Sequence, residues 1–328
     1  MAEMLVEHVD ASLDSLAPFS LQPADRFLRR GQTVQRLDQY LNAVAERPVV
    51  FPPEMQLLAS THDLQTVVAS GEDGLVIEGD RPVRLPIPSA DSATFLDSGE
   101  LLVTAPVVGR RVQRGREYTF KDAHRVFLLV PTTGEVLDET VLDVTDATIT
   151  AVPHPMDGSI LLDAGEGQDG SHLFAARVVG GKVIVDLILE DSGPVSFNSS
   201  GDRLLLAPHP SFENGVTVLT WPRLEPSGSL DGDFLGEDLR LDLYALYVDA
   251  ERVVVNCIPD GGPILWTPSL GRRAHVDLPG FTMGEDCAVI EMLGLADGLF
   301  ATEIWGSETR STVVWRIRPA RGNDWEIT

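Results

Sequence analysis

The side chains able to do chemistry fall in short polar breaks between apolar runs. Asp73 lies in SGEDG. Asp163, Glu166 and Asp169 lie beside His172 in DAGEGQDGSH, and His209 lies in PHPSFENG. Asp260 lies in IPDGG, and Glu303 and Trp305 lie in EIWGSETRS. Carboxylates gathered at one mouth would attract a cation: a calcium ion, an amine or a basic protein segment. A very acidic chain also carries acidic loops wherever it meets water, so that plainer reading stays open. The spacing from Asp163 to Asp169 does not fit the D-x-[DN]-x-[DN]-G run of an EF-hand. Residues 106–122, PVVGRRVQRGREYTFKD, have the opposite character. Arg110, Arg111, Arg114, Arg116 and Lys121 place five of the 25 basic residues within these positions. Such an excursion is either a loop or hairpin whose arginines pair with the chain's own acidic surface, or a finger that docks an anion or a partner.

Other chemistries lack their residue patterns. The seven histidines and two cysteines form no H-x-x-x-H, H-E-x-x-H or C-x-x-C spacing, so no zinc site is expected. There is no G-x-S-x-G elbow and no G-x-x-x-x-G-K-[ST] phosphate loop. Cys257 and Cys287 sit in apolar strand-like contexts and read as buried free thiols. Pro153-His154-Pro155 and Pro208-His209-Pro210 look like a repeated motif, and each reads as a solvated turn histidine. No cofactor is expected, with a divalent cation as the alternative.

These side chains need a scaffold. The chain has 328 residues, 43% of them hydrophobic, enough for a sizeable core. Its net charge of −25 argues against a nucleic-acid backbone or an anionic membrane surface as partner. No apolar run has the ~18 residues that a membrane-crossing helix requires. The opening MAEMLVEHVD lacks the basic start and apolar run of a signal peptide, so the expected compartment is the cytoplasm.

From about residue 47 the chain is a series of short apolar runs rich in β-branched residues, separated by Asp, Gly, Ser and Pro. Turn markers at Asp157, Gly201, Asp249 and Asp297 recur at intervals of 44, 48 and 48 residues. Trp221, Trp266 and Trp315 each end an apolar run, 45 and 49 residues apart. Two markers in phase at this period fit a four-stranded unit that must stack on its neighbours. The three tryptophans read as core between adjacent sheets.

The runs ending in Trp, with segments such as DGSILL and SGDRLLL, resemble the repeats of WD40 and TolB-like β-propellers over about residues 47–319. The resemblance implies an all-β propeller of four-stranded blades. The Gly-His pair that opens a WD40 unit is missing and no Asp follows the tryptophans, so the resemblance carries the fold and no functional residue. Six units are expected, at about 47–88, 89–143, 144–190, 191–240, 241–280 and 281–328. A seventh arises if residues 1–46 contribute one. Either residues 324–328 or residues 4–9 could close the last unit. Residues 1–46 are expected to form a separate N-terminal segment packed on the 47–328 propeller. It would contain a short helix over about 24–46, with Phe27, Val34, Leu37, Leu41 and Val44 near one stripe.

With strands a to d running outward in each unit, the b–c and d–a connections share one face of a propeller, and all the site residues named above belong to b–c connections. Three functions follow. The first is a non-catalytic propeller that binds a protein or peptide, a basic one included, through its acidic loop face. The second is a metal-dependent hydrolase or lactonase-like enzyme with a carboxylate-lined channel mouth. The third is an inhibitor or immunity-type protein for a basic partner. Neither nucleic acid nor membrane is expected as a partner.

Overall fold

The computed structural model describes residues 6–9, 20–21, 26–113, 115–166, 170–191, 193, 195–207, 215–236, 238–259, 262–283, 287–296, 298–306 and 310–317. Among them, seven antiparallel sheets of four strands form the blades of an all-β propeller. The first strand, β1 (Val6–Val9), joins the last sheet. Contacts divide the chain into two compact units.

One unit comprises Pro18–Asp38 and Ala43–Asp191 and holds four sheets. The first is β2 (Ser20–Leu21), β3 (Arg26–Arg30), β4 (Thr33–Leu37) and β5 (Ala43–Pro48). Next come β6 (Gln56–Ser60), β7 (Val67–Gly71), β8 (Gly74–Glu78) and β9 (Val83–Leu85). The third is β10 (Ser92–Phe95), β11 (Leu101–Gln113), β12 (Arg116–Leu129) and β13 (Val136–Leu142). The fourth is β14 (Thr148–Pro153), β15 (Ile160–Gly165), β16 (Ser171–Val179) and β17 (Lys182–Glu190).

The other unit comprises Met1–Ala17, Gln39–Asn42 and Ser192–Thr328. It holds β18 (Val195–Phe197), β19 (Arg203–Leu206), β20 (Gly215–Thr220) and β21 (Pro226–Asp231). The following sheet is β22 (Arg240–Tyr247), β23 (Val253–Ile258), β24 (Ile264–Thr267) and β25 (Arg272–His275). The last is β26 (Cys287–Ala296), β27 (Leu299–Gly306) and β28 (Arg310–Ile317), completed by β1, whose Val6 to Val9 pair antiparallel with Ile317 to Val314. Of the two closures expected, the one at residues 4–9 thus supplies this fourth strand through its described part, Val6–Val9; residues 324–328 lie outside the described residues.

Position in the sheet explains the composition of each strand. The first strands of consecutive sheets lie against one another: β6 against β10 and β10 against β14, and in the other unit β18 against β22 and β22 against β26. The middle strands β7 and β8 are buried on both faces, as a strand covered from two sides must be, and read as continuous apolar runs. The outer strands β13 and β17 interleave exposed and covered positions.

The periodic Asp and Gly residues close the turns between first and second strands. Equivalent backbone bonds recur there: Thr61 N–H to Thr66 O (2.9 Å), His154 to Ser159 (2.8 Å), Asn198 to Arg203 (3.1 Å) and Val248 to Arg252 (2.9 Å). Asp63, Asp157 and Asp249 each accept from the amide two residues on, at 2.9, 2.8 and 2.9 Å. A carboxylate that fastens its own turn explains why Asp recurs.

The expected helix over 24–46 is overturned: β3, β4 and β5 occupy residues 26–48. Gly31, at φ 56°, turns β3 into β4. Phe27, Val34, Leu37 and Leu41 are buried as the helical reading required, whereas Val44 is exposed. Two short strands joined at a glycine bury the same residues that a helical stripe would, and Gly31 is the residue that favours the turn.

Among the described residues, five apolar clusters each lie between two consecutive sheets. Trp266 packs with Leu205, Val216 and Leu230 of the preceding sheet. Trp315 packs with Leu246, Val254 and Leu265 of its predecessor. The Trp315 indole N–H donates to Thr302 Oγ1 at 2.7 Å, so its one polar atom is satisfied inside the seam. Trp221 is half-buried, its ring edge-on to Phe197 with centroids 5.3 Å apart. Trp315→Ala should therefore cost about 3–5 kcal/mol in urea unfolding. Trp305→Ala, at a side chain 53% exposed, should stay within about 0.5 kcal/mol. Equal losses would contradict the seam assignment.

Candidate functional site

The residues singled out above lie in or beside the connections between second and third strands where the structure describes them. In the first unit, Asp73 is exposed in the Glu72-Asp73 turn joining β7 to β8, between the paired Gly71 and Gly74. Asp163 is half-buried within β15, where Ser171 donates its hydroxyl at 2.6 Å. Glu166 follows β15, half-buried, its Oε1 3.7 Å from His172 Nδ1. Asp169 and Arg114 lie outside the described residues, as does the side chain of Arg111.

In the other unit, Glu303 was expected in a loop and lies inside β27, fully buried, with Glu291 and Thr312 as its register neighbours. The strand runs on through Gly306, so this carboxylate is part of the sheet interior. Trp305, two residues on, is exposed at the strand's end. His209 and Asp260 lie outside the described residues.

His154 also departs from expectation. It is buried, and its Nδ1 accepts from the amides of Met156 (3.1 Å) and Asp157 (2.9 Å). The ring is a turn-closing group, held by backbone donors that a solvated side chain would leave to water.

Of the two forms left open for residues 106–122, the described ones take the hairpin, a two-stranded β-ribbon. β11 and β12 pair continuously out to Gln113 and Arg116. β10 pairs with β11 only as far as Thr104, and β13 with β12 only from His124 onward. Beyond those points the ribbon continues alone as an arm. The register slips where Val107 faces Ala123 and Val108 faces Lys121, leaving Asp122 as the extra residue. A bulge of this kind bends and re-aims a strand pair. Past it, the Phe120 ring covers Gly109, where a Cβ would sit 2.5 Å from the ring. A side chain there would have to displace the ring. Arg110 lies 3.5 Å from Glu117 with both side chains exposed, an arrangement worth little. Val112, at 76% exposed, and Tyr118, at 49%, also face water.

The base of the arm is fastened by polar groups that the sequence did not reveal. His124, fully buried, places Nε2 2.8 Å from Asp91 Oδ2. Lys121 Nζ lies 3.5 Å from Asp91 Oδ1 and donates to Ala147 O at 2.7 Å. The Lys121 amide donates to Asp146 Oδ1 at 2.9 Å, and the Asp146 amide returns a bond to the Lys121 carbonyl at 2.8 Å. The Ile149 amide donates to Asp91 Oδ2 at 3.3 Å. The arm is thereby tied to the start of the next sheet.

Two further features stand apart. In the second unit, the buried Asn256 donates from Nδ2 to Asp242 Oδ2 at 2.8 Å and to Val289 O at 3.3 Å. Burial first, and then the nearby Asp242 charge, push the adjacent Cys257 thiol up to about 12. In the first unit, a cleft of about 600 Å³ opens beside the turns joining first and second strands, at the strand ends opposite the arm, lined by Phe95, Leu96, Pro155, Met156, Arg177 and Val179. Among the described residues no group of three or more His, Cys, Asp or Glu side chains is placed to hold a metal ion. None of their helices is long and apolar enough to cross a membrane.

Solved structures share this architecture. The β-propeller domain of Cps50 (Swd1) from Myceliophteria thermophila is 12% identical, with a TM-score of 0.55 over 96% of this chain and 100% of that one. Dihydro-heme d1 dehydrogenase NirN is 14% identical, with a TM-score of 0.51 over 91% of this chain and 62% of that one. The C-terminal WD40 domain of Sif2 is 11% identical, with a TM-score of 0.46 over 92% of this chain and 94% of that one. No family model and no curated protein sequence matches the chain. At these identities the likeness is one of fold, and a propeller fold serves catalytic and binding proteins alike.

Two outcomes are expected. His124→Ala empties a fully buried site and removes one of the partners of Asp91, and should cost about 2–4 kcal/mol in denaturant unfolding. Lys121→Met should speed hydrogen exchange in the arm with a smaller global loss. The raised Cys257 pKa also fixes a sign. The thiol's contribution to stability is complete below its unfolded value of 9.0 and falls as pH rises from there towards about 12. A thiol reagent at neutral pH should leave Cys257 unmodified until the protein unfolds, and rapid labelling of the native protein would refute its burial.

Proposed function

We propose that the protein is a non-catalytic binding propeller whose face of b–c connections docks a protein or peptide partner through a basic segment. The carrying observation is the pair of acidic groups at those connections, Asp73 exposed and Glu166 half-buried, with half-buried Asp163 near the end of β15, in a chain of net charge −25. Carboxylates of this kind act mainly on encounter rate and partner choice, since exposed pairs add little affinity each while a uniform field repels like-charged competitors. A cytoplasmic setting, with neither nucleic acid nor membrane as partner, is part of the same reading.

The probe is a labelled peptide rich in lysine and arginine, titrated by fluorescence anisotropy at low and high salt. Binding should be saturable and weaken steeply with salt. The double variant Asp73→Lys/Glu166→Lys should weaken it about tenfold, mostly through a slower association rate. Unchanged affinity in that variant would remove the acidic face from consideration.

A further inference from the structure

The arm presents an open strand edge. Lys121 makes its backbone bonds away from β11, to Asp146. Directly opposed residues in an antiparallel pair point their N–H and C=O groups the same way, outward or inward, and the direction alternates along the strand. Val108, opposite Lys121, therefore points outward, and so do Arg110 opposite Thr119 and Val112 opposite Glu117. On the β12 side Asp146 already occupies the edge at Lys121. On the β11 side no strand among the described residues pairs beyond Thr104. Val108, Arg110 and Val112 thus offer three alternate donor and acceptor pairs to a strand laid alongside. Their side chains share one face, apolar, cationic, apolar, and all three are exposed. The bulge, the Phe120 ring over Gly109 and the polar fastening at Asp91, His124 and Lys121 hold this edge in place before anything binds.

We infer that the β11 edge of the arm takes an extended segment of a partner protein as an added strand. That segment carries a carboxylate opposite Arg110 and apolar side chains two residues to either side. Main-chain bonds supply the attachment and the alternate side chains the selection. Charge complementarity decides the occupant. Arg110 and Arg116 are exposed, and the only carboxylates in residues 106–122 are Glu117 and Asp122. Cross-strand neighbours of opposite charge stabilise and like charges destabilise. This reading is independent of the acidic-loop docking above, which concerns different residues and a partner segment of opposite charge.

The test uses the full chain and two short labelled peptides. One has valine, glutamate and valine at alternate positions with threonine between them; the other has lysine in place of glutamate. Anisotropy should show the glutamate peptide binding about fivefold more tightly than the lysine peptide, and Arg110→Glu should reverse that preference. Val112→Pro removes one outward amide without touching the bonds between β11 and β12, and should weaken both peptides. Hydrogen exchange at Val108, Arg110 and Val112 should slow when the glutamate peptide is added to the unaltered protein. Several results would overturn the inference. They are no saturable peptide binding, a preference that Arg110→Glu leaves unchanged, affinity indifferent to Val112→Pro, no added exchange protection, or an arm that binds a single-stranded dT oligonucleotide in place of the peptide. Self-association abolished by Arg110→Glu would assign the edge to a second copy of this chain and overturn the inference as stated.

Discussion

A four-stranded sheet has two apolar faces and cannot cover either by itself. Every other feature of this chain follows from that constraint. The apolar clusters lie between consecutive sheets. Large rings such as Trp266 and Trp315 belong in those seams, because only there does a side chain of that volume lose all contact with water. The fourth strands, least covered, can carry charge. The connections at the strand ends take no part in the seams, so their residues are free to serve a partner.

The arm applies the same logic to a longer element. A two-stranded ribbon alone in water is marginal. Here its root is immobilised by a buried imidazole–carboxylate contact, a lysine shared between Asp91 and the Ala147 carbonyl, and a bulge at Asp122. Burying such charges is costly unless each is matched, and in this network donors and acceptors are largely paired with one another. The outcome is a preset direction for the ribbon, which lowers the ordering cost of any strand that adds to it.

Much of the architecture was legible from the residues. The interval between Asp turns and tryptophans marks one sheet, and the six units read from it each contain one run of four strands or its first three. The N-terminal sheet was misread because Phe27, Val34, Leu37 and Leu41 satisfy helical and hairpin geometry alike, and Gly31 alone discriminates. For residues 106–122 the sequence left loop and hairpin both open, because an element without a core shows no apolar run; the alternation of Val108, Arg110 and Val112 favours the hairpin. The candidate site was less legible still. Glu303 looked like a loop residue from the polar stretch that follows it, yet β27 includes it and runs on to Gly306. The Asp91–His124 contact joins residues 33 positions apart, and no local pattern announces a pairing of that kind.

The pairing of β1 with β28 reaches beyond the finished fold. Val6 to Val9 pair with Ile317 to Val314, so a long stretch of sequence holding the other six sheets separates the partners. On the ribosome Val6 to Val9 emerge long before their complement in β28 exists. An unmatched strand offers open backbone groups while it waits. Slow synthesis, or a fusion that masks residues 6–9, would thus trouble the birth of this protein more than its later life.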